Sequence, residues 1–405
     1  MKLKVTPEDF RVEEVTDFAV SQEPGEYAVY RLMKSSWDTF DLVDLLSRRM
    51  GVSRRAISLG GIKDRYGRTA QIVTVRNPPR RPRSLTDKNF TAEFSGYSEA
   101  PLSARAVRGN RFSVVIRDMS DAEVRAALDN LRVVRRSGIP NYYDEQRFGS
   151  ARHGAGFMGK AVFLGKREEA LKLFFLPSKH DDQKTRKLKK LVTSRWGRWA
   201  ECMPAAFGEY RRVLSRLVES PRAYHKALGC LDRRFLVFIL NAYQSFLFNG
   251  ILAGYMECLA GKRGFRIHRV PYSRGTFVFP EELPEDLPPA LLRKSLPVPG
   301  NDSAITDPDV GAILARVLDA EGISLSDLRV RQMSGIRVHG VERTAYAAVE
   351  ELSTPEICGD ELYPGKRKAS LSFFLPRGSY ATILMKRIAI QDAGRGNEAS
   401  TPEAP

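Results

Sequence analysis

The chain has 405 residues, room for about two or three domains, and its 42% apolar content is ordinary for a globular protein with a sizeable core. Lys and Arg total 65 against 48 Asp and Glu, a net charge of +17 and a pI near 9.8, which points to a polyanionic partner. Apolar runs such as Phe235 to Leu240 are too short to span a bilayer, and neither a signal-peptide core nor a terminal lipidation motif is visible. The expected partner is therefore nucleic acid rather than membrane, the expected location cytoplasmic, and no obligate protein partner is evident.

In chain order, Tyr27 to Leu32 reads as a strand, and Asp38 and Thr39 cap a helix with Phe40, Val43, Leu46 and Met50 on its apolar face. Ala56 to Leu59 reads as a strand that breaks at Gly60-Gly61, and Gln71 to Val75 resumes it, so Asp64 falls on a short strand-to-strand connection. Residues 76–89, with prolines and five basic side chains, read as a loop. Phe112 to Ile116 is a further strand. Ser120 and Glu123 form a capping box for a helix through Val124, Leu128, Leu131 and Val134 that stops near Gly138.

From about 139 to 343 the pattern becomes largely helical, with long helices over 160–176 and 232–256 and a proline-rich loop over 280–300. Between 371 and 390 a β-like signature returns, with a turn at Arg377-Gly378. The residues from Gln391 onward are polar and read as a disordered tail. This organisation gives an α+β domain, 1–138 plus 344–390, interrupted by a helical insertion over 139–343. The cysteines Cys202, Cys230, Cys258 and Cys358 form no C-x-x-C pair, so reduced, mostly buried thiols are expected.

Asp64 lies in GGIKDRYGRTAQ among the cations Lys63, Arg65 and Arg68, which favour an ionised carboxylate suited to nucleophilic or base work. An Asp in a Gly-rich turn is also ordinary turn chemistry. The segment Asn141 to Gly149 interleaves aromatics with amides and Arg, as single-stranded RNA recognition does; packed aromatics explain it as well. In the helix carrying Asn241, Gln244 and Asn249, local hydrogen bonding competes with function. Lys179 to Arg198 holds eight Lys or Arg against two Asp and suits an RNA backbone or a solvated helix face. Gly154, Gly156 and Gly159 match G-x-G-x-x-G, but no buried strand precedes them, which excludes a dinucleotide site.

Taken together and in order, these segments resemble the TruD family of tRNA pseudouridine synthases. Lys4 with Pro7-Glu8-Asp9-Phe10 is similar to the family's N-terminal K-x-x-P-E-D-F, and Gly61-x-Lys63-Asp64 with Thr69 and Gln71 to its catalytic segment. Asn110-x-Phe112 resembles its N-x-F. Asn141-Tyr142 with Gln146-Arg147-Phe148-Gly149, Ala242-Tyr243-Gln244-Ser245 through Asn249, and Leu375-Pro376-x-Gly378-Ser379-Tyr380-Ala381-Thr382 resemble three further motifs, so the likeness runs from residue 4 to 382.

The resemblance implies a pseudouridine-synthase-type mixed, mostly antiparallel sheet with flanking helices, split by an inserted, RNA-binding TRUD domain. It implies isomerisation of uridine 13 in the D-arm of tRNA, with no cofactor and no metal. Asp64 becomes the nucleophile, with attack at C1′ and abstraction of a ribose proton both open. Lys4 orients or neutralises it, and Phe10, Asn110, Phe112 and Tyr380 line the substrate site, one aromatic stacking on the extruded uracil. Gly67 replaces the family's usual Ala. Tyr143 and Asp144 replace Phe-Gly, and Asp144 would be strained if that Gly has positive φ. A non-catalytic RNA-binding scaffold would show an eroded Lys63-Asp64 segment; a helicase or methyltransferase would need a P-loop or Gly-rich fingerprint.

Overall fold

Phe10, Val12 and Glu14 are buried along Phe10–Thr16 while Arg11 is exposed between them, and this period-two pattern forms the first strand, β1, of the computed structural model. The structure describes residues 1–61, 63, 67–78, 82–151, 154–178, 181–330, 333 and 335–391. Asp64, Arg65, Lys179 and the tail from 392 lie outside the described residues. The chain divides into two units, Met1–Ile139 with Ala347–Pro405, and Pro140–Tyr346.

In the first unit β1 is followed by β2 (Tyr27–Ser35), β3 (Ile57–Leu59), β4 (Arg68–Arg76), β5 (Leu85–Asp87), β6 (Phe90–Ser98), β7 (Val107–Met119), β8 (Glu356–Gly359) and β9 (Arg367–Pro376). Among the described residues these nine strands form one sheet, ordered β8-β9-β7-β1-β4-β2-β6-β5, with β3 also on β4. The sheet is mixed: β1 and β4 run parallel, the other pairings antiparallel. β4 divides one edge between two neighbours. Arg68–Ala70 pair with Arg11–Glu13 of β1, and Val73–Val75 pair with Ile57–Leu59 of β3.

Helix Thr39–Met50, capped by the Asp38 carboxylate and ended by left-handed Gly51 (φ +65°), packs Leu42 and Leu46 on Ala28, Tyr30, Leu32, Val73, Val75 and Ala92. Phe40, expected on its apolar face, is exposed, and Leu42 takes the buried place. The Ser120–Glu123 capping box starts helix Asp121–Ser137, which buries Val124, Ala127, Leu131 and Val134. Helix Ala381–Ile388 packs against it. That segment was expected to be β-like. It is helical because the face of Asp121–Ser137 buries Ile383, Leu384 and Ile388, and Asn130 Nδ2 donates to the carbonyls of Ile388 (3.0 Å) and Ile390 (2.8 Å) at its end. The loop expected over 76–89 ends earlier, because Leu85–Asp87 pairs with Phe90–Ala92 around a Lys88-Asn89 turn.

The second unit is built on helix Arg233–Arg263, capped by Asp232 and left-handed Gly264 (φ +72°). By length and composition it could cross a membrane, contrary to the expectation that no apolar run is long enough, but 67% of its most apolar stretch is buried inside the protein. A helix apolar all round is a core helix. Helices Met158–Phe163 and Pro308–Ala320, the hairpin of Ile267–Tyr272 with Gly275–Pro280, and strand Ser295–Val298 pack on it. One long helix was expected over 160–176; left-handed Gly165 (φ +69°) divides it into Met158–Phe163 and Arg167–Phe174. The proline-rich 280–300 segment includes a short helix, Pro289–Leu292, and strand Ser295–Val298, which pairs with Val341–Thr344. Of the thiols only Cys202 is buried, so the expectation of mostly buried cysteines does not hold.

Candidate active site

Strand register puts an island of polar side chains on the helix-covered face of the sheet. Across the strands, Phe373, Phe112, Val12, Thr69, Lys34 and Phe90 stand in one row, each the register partner of the next. In the adjacent row Leu375 opposes Asn110, Asn110 opposes Glu14, and Gln71 opposes Leu32 and Leu32 opposes Ala92. Glu14, Lys34, Thr69 and Gln71 are only 7%, 3%, 3% and 2% exposed. Buried polar groups flanked by apolar residues are costly where they lack hydrogen bonds.

The β3–β4 connection reaches into this island through Lys63. Its Nζ lies 3.0 Å from Glu14 Oε2 and donates a short hydrogen bond to Asn110 Oδ1. Its main chain is held by helix Thr39–Met50 and β2: Thr39 Oγ1 donates to Lys63 O (3.0 Å) and accepts from Lys63 N (3.3 Å), and Lys34 Nζ donates to Lys63 O (3.3 Å) and Trp37 O (2.9 Å). Gln71 Nε2 reaches Gly61 O at 3.4 Å. A Cβ on Gly60 would lie 2.4 Å from Val107 Cγ2 and 3.1 Å from a Glu14 oxygen, so glycine is required there. At the other shoulder Gly67 has φ +115°, and a Cβ would meet Phe10 O at 2.6 Å. This is why Gly stands at 67. Both Glu14 oxygens, Thr69 Oγ1 and Gln71 Oε1 are buried without a hydrogen bond among the described residues. The Lys63–Glu14 contact is an ion pair off hydrogen-bond geometry.

Of the residues expected to carry the chemistry, five are described and all lie in the first unit. Lys4 has a left-handed backbone (φ +56°), a strained conformation for a long side chain, and its Nζ stands 4.3 Å from the Phe10 ring centroid. Phe10 meets Phe112 edge-on (6.0 Å), and Phe112 stacks on Phe373 (5.2 Å). Asn110 gives its carbonyl oxygen to Lys63, while its NH2 makes no hydrogen bond among the described residues. Tyr380 is half-buried at the start of helix Ala381–Ile388. Arg68 pairs with Glu8 at 2.6 Å on the surface; its expected place near Asp64 lies outside the described residues.

Glu14, Lys34 and Thr39 escaped sequence reasoning. Glu14 ends the buried alternation Phe10-Val12-Glu14, and a carboxylate at the last inward position was the available signal. Asp9, in the same N-terminal motif, is structural: its carboxylate accepts Arg117 Nε at 3.0 Å on both oxygens.

The second unit's candidates are largely accounted for by packing. Tyr142 exchanges hydrogen bonds with the main chain of Val278 (3.0 and 3.1 Å), and Asn249 pins both main-chain groups of Tyr143 (2.9 and 2.8 Å). Gln244 Nε2 donates to Pro299 O (2.8 Å). Asp144 is not among the positive-φ residues, so the expected strain is absent. Gly159 lets helix Met158–Phe163 approach Ile239 O, which a Cβ would meet at 2.3 Å. Lys184, Lys187 and Lys190 are exposed along one face of helix Gln183–Ser194.

The glycine-flanked, lysine-anchored loop over buried polar groups makes this part of the first unit the candidate site. Comparison with known proteins gives the family. The family model for tRNA pseudouridine synthase D (TruD) matches residues 1–388. The Methanococcus maripaludis protein named "Probable tRNA pseudouridine synthase D 1" is 31% identical over 396 residues, covering 96% of this chain and 99% of that one. The Leptospira interrogans tRNA pseudouridine synthase D is 29% identical over 399 residues, 96% of each chain. The crystal structure of a Methanosarcina mazei protein given the TruD name superposes with a TM-score of 0.69 at 25% identity, over 96% of this chain and 93% of that one. The chain belongs to the tRNA pseudouridine synthase D (TruD) family, with the α+β fold and mostly antiparallel sheet expected from its motifs. Its activity is that of a pseudouridine synthase, an isomerase.

Proposed function

We propose that the protein converts uridine 13 in the D-arm of tRNA to pseudouridine, with Asp64 as the nucleophile. The observation that carries this reading is the anchoring of Lys63, the chain neighbour of Asp64, in the buried island of Glu14, Lys34, Thr39 and Asn110. The isomerisation breaks the N1–C1′ bond, turns the uracil and forms C5–C1′, moving a proton from C5 to N1. It is redox-neutral and needs no co-reactant. Attack at C1′ and removal of a ribose proton both start from an ionised carboxylate.

Lys4, on its strained backbone, is assigned to orienting and neutralising Asp64. Phe10 and Phe112 are packed against each other and against Phe373, which suits them to form the floor of the base site. Tyr380, half-buried at the start of helix Ala381–Ile388, is assigned to stack on an extruded uracil. The Asn110 NH2 is a donor suited to a uracil carbonyl. The unit Pro140–Tyr346 supplies an RNA-binding surface, including the lysine stripe of Gln183–Ser194. Pseudouridine mapping of tRNA from cells with and without the gene tests the assignment. Loss of pseudouridine at position 13 on deletion is expected; an unchanged tRNA map would refute it.

A further inference from the structure

We propose that Lys34 and Thr39 are positioning residues for catalysis: with Glu14 and Asn110 they clamp Lys63 and thereby fix the carboxylate that follows it in the chain. The proposal rests on the reading of Asp64 as nucleophile.

The clamp has two halves. Lys34 and Thr39 grip the main chain of Lys63, the threonine hydroxyl both donating to the carbonyl and accepting from the amide. Glu14 and Asn110 hold its ammonium. Lys34 is 3% exposed and Thr39 fully buried. The Lys34 ammonium donates to the carbonyls of Lys63 and Trp37 and so ties the segment to β2 and to the start of helix Thr39–Met50. Gly60, Gly61 and Gly67 contribute no side chains to hold the segment, and the main chain of Lys63 is gripped from β2 and from helix Thr39–Met50. Displacing a reacting group by about 1 Å costs on the order of 100-fold in rate.

Thr39→Val keeps the shape and removes both hydrogen bonds; Thr39→Ser keeps the hydroxyl. Lys34→Met removes the ammonium. With unmodified tRNA transcript, Thr39→Val and Lys34→Met should lower the single-turnover rate by about 10- to 100-fold, leave the Kd for tRNA unchanged within about twofold and keep a cooperative thermal transition. Thr39→Ser should stay near the wild-type rate, whereas a purely structural role for the side-chain volume would favour Val over Ser. Wild-type rates for Thr39→Val would overturn the clamp, even if Lys34→Met fails to fold. Asp64→Asn, measured alongside, separates the two levels: an active Asp64→Asn enzyme removes the underlying reading, whereas an inactive one with normal Thr39→Val removes only the clamp.

Discussion

Phe112 stacks on Phe373 with ring centroids 5.2 Å apart and planes 21° from parallel, while Phe10 meets its edge at 6.0 Å. One face of Phe112 is thus occupied within the sheet, and its main task there is packing. Phe112→Ala should destabilise the protein by about 3–5 kcal/mol, as for other buried aromatics. Tyr380→Ala, at a half-buried position, should change the melting temperature far less and lower the rate of pseudouridine formation by at least about tenfold, the scale of a lost base stack. Calorimetry paired with single-turnover assays checks this. Equal stability losses in the two variants, with no rate loss for Tyr380→Ala, would contradict it.

Arg117 joins the N-terminal motif to the segment that follows the second unit. It reaches Asp9, Asp360 and Glu361, each at 3.0 Å. Burial alone would raise the Asp360 carboxyl, but the main-chain amides of Asp118 and Leu362 and the guanidinium outweigh it and leave it lowered. Glu361 is brought down to about 2, first by Lys368 and then by its own amide and Arg117. Depressed folded values mean that these groups contribute fully above their unfolded values, 3.8 and 4.5. The Glu361 contribution disappears as pH falls from there towards about 2, and the Asp360 contribution is likewise lost on acidification below its unfolded value. Arg117→Met should cost about 3–5 kcal/mol by stranding Asp9 and Asp360 in the interior and should flatten the acid limb of the stability curve. Denaturant unfolding between neutral pH and acid measures both effects.

The exposed stripe Lys184, Lys187 and Lys190 makes a separable prediction. Changing all three to Gln should weaken tRNA binding and flatten its salt dependence, by roughly 0.7–0.9 in the log–log slope for each phosphate no longer neutralised. The rate at saturating tRNA should stay near that of the wild type. Binding measured from low to moderate salt tests this, and an unaltered slope would place the RNA backbone elsewhere.

Much of this architecture was readable because local signals agreed with tertiary ones. The Ser120–Glu123 box and the Asp38 cap each specify an element without help from distant residues. Reading failed where packing decided. Tyr380 to Ile388 is rich in residues that suit strands, yet Asn130 caps it as a helix from across the unit. The helix expected over 232–256 is present as Arg233–Arg263; what was not read is that it is long and apolar enough to pass for a membrane span, because it is enclosed within its unit. In the site, Asp64, Lys63 and Asn110 were reached through the ordered resemblance to the family's motifs, since the local sequence around Asp64 is equally that of an ordinary turn. Lys34 and Thr39 could not be, since a lysine ending a strand and a threonine opening a helix look like ordinary punctuation until register brings both to one carbonyl.

The decisive measurement is single-turnover pseudouridine formation in unmodified tRNA transcript by Asp64→Asn, an isosteric change that removes only the ionisable oxygen. The expected result is no detectable pseudouridine with tRNA binding and melting temperature near wild type. Pseudouridine formation by Asp64→Asn at the wild-type rate would contradict the assignment of Asp64 as the nucleophile.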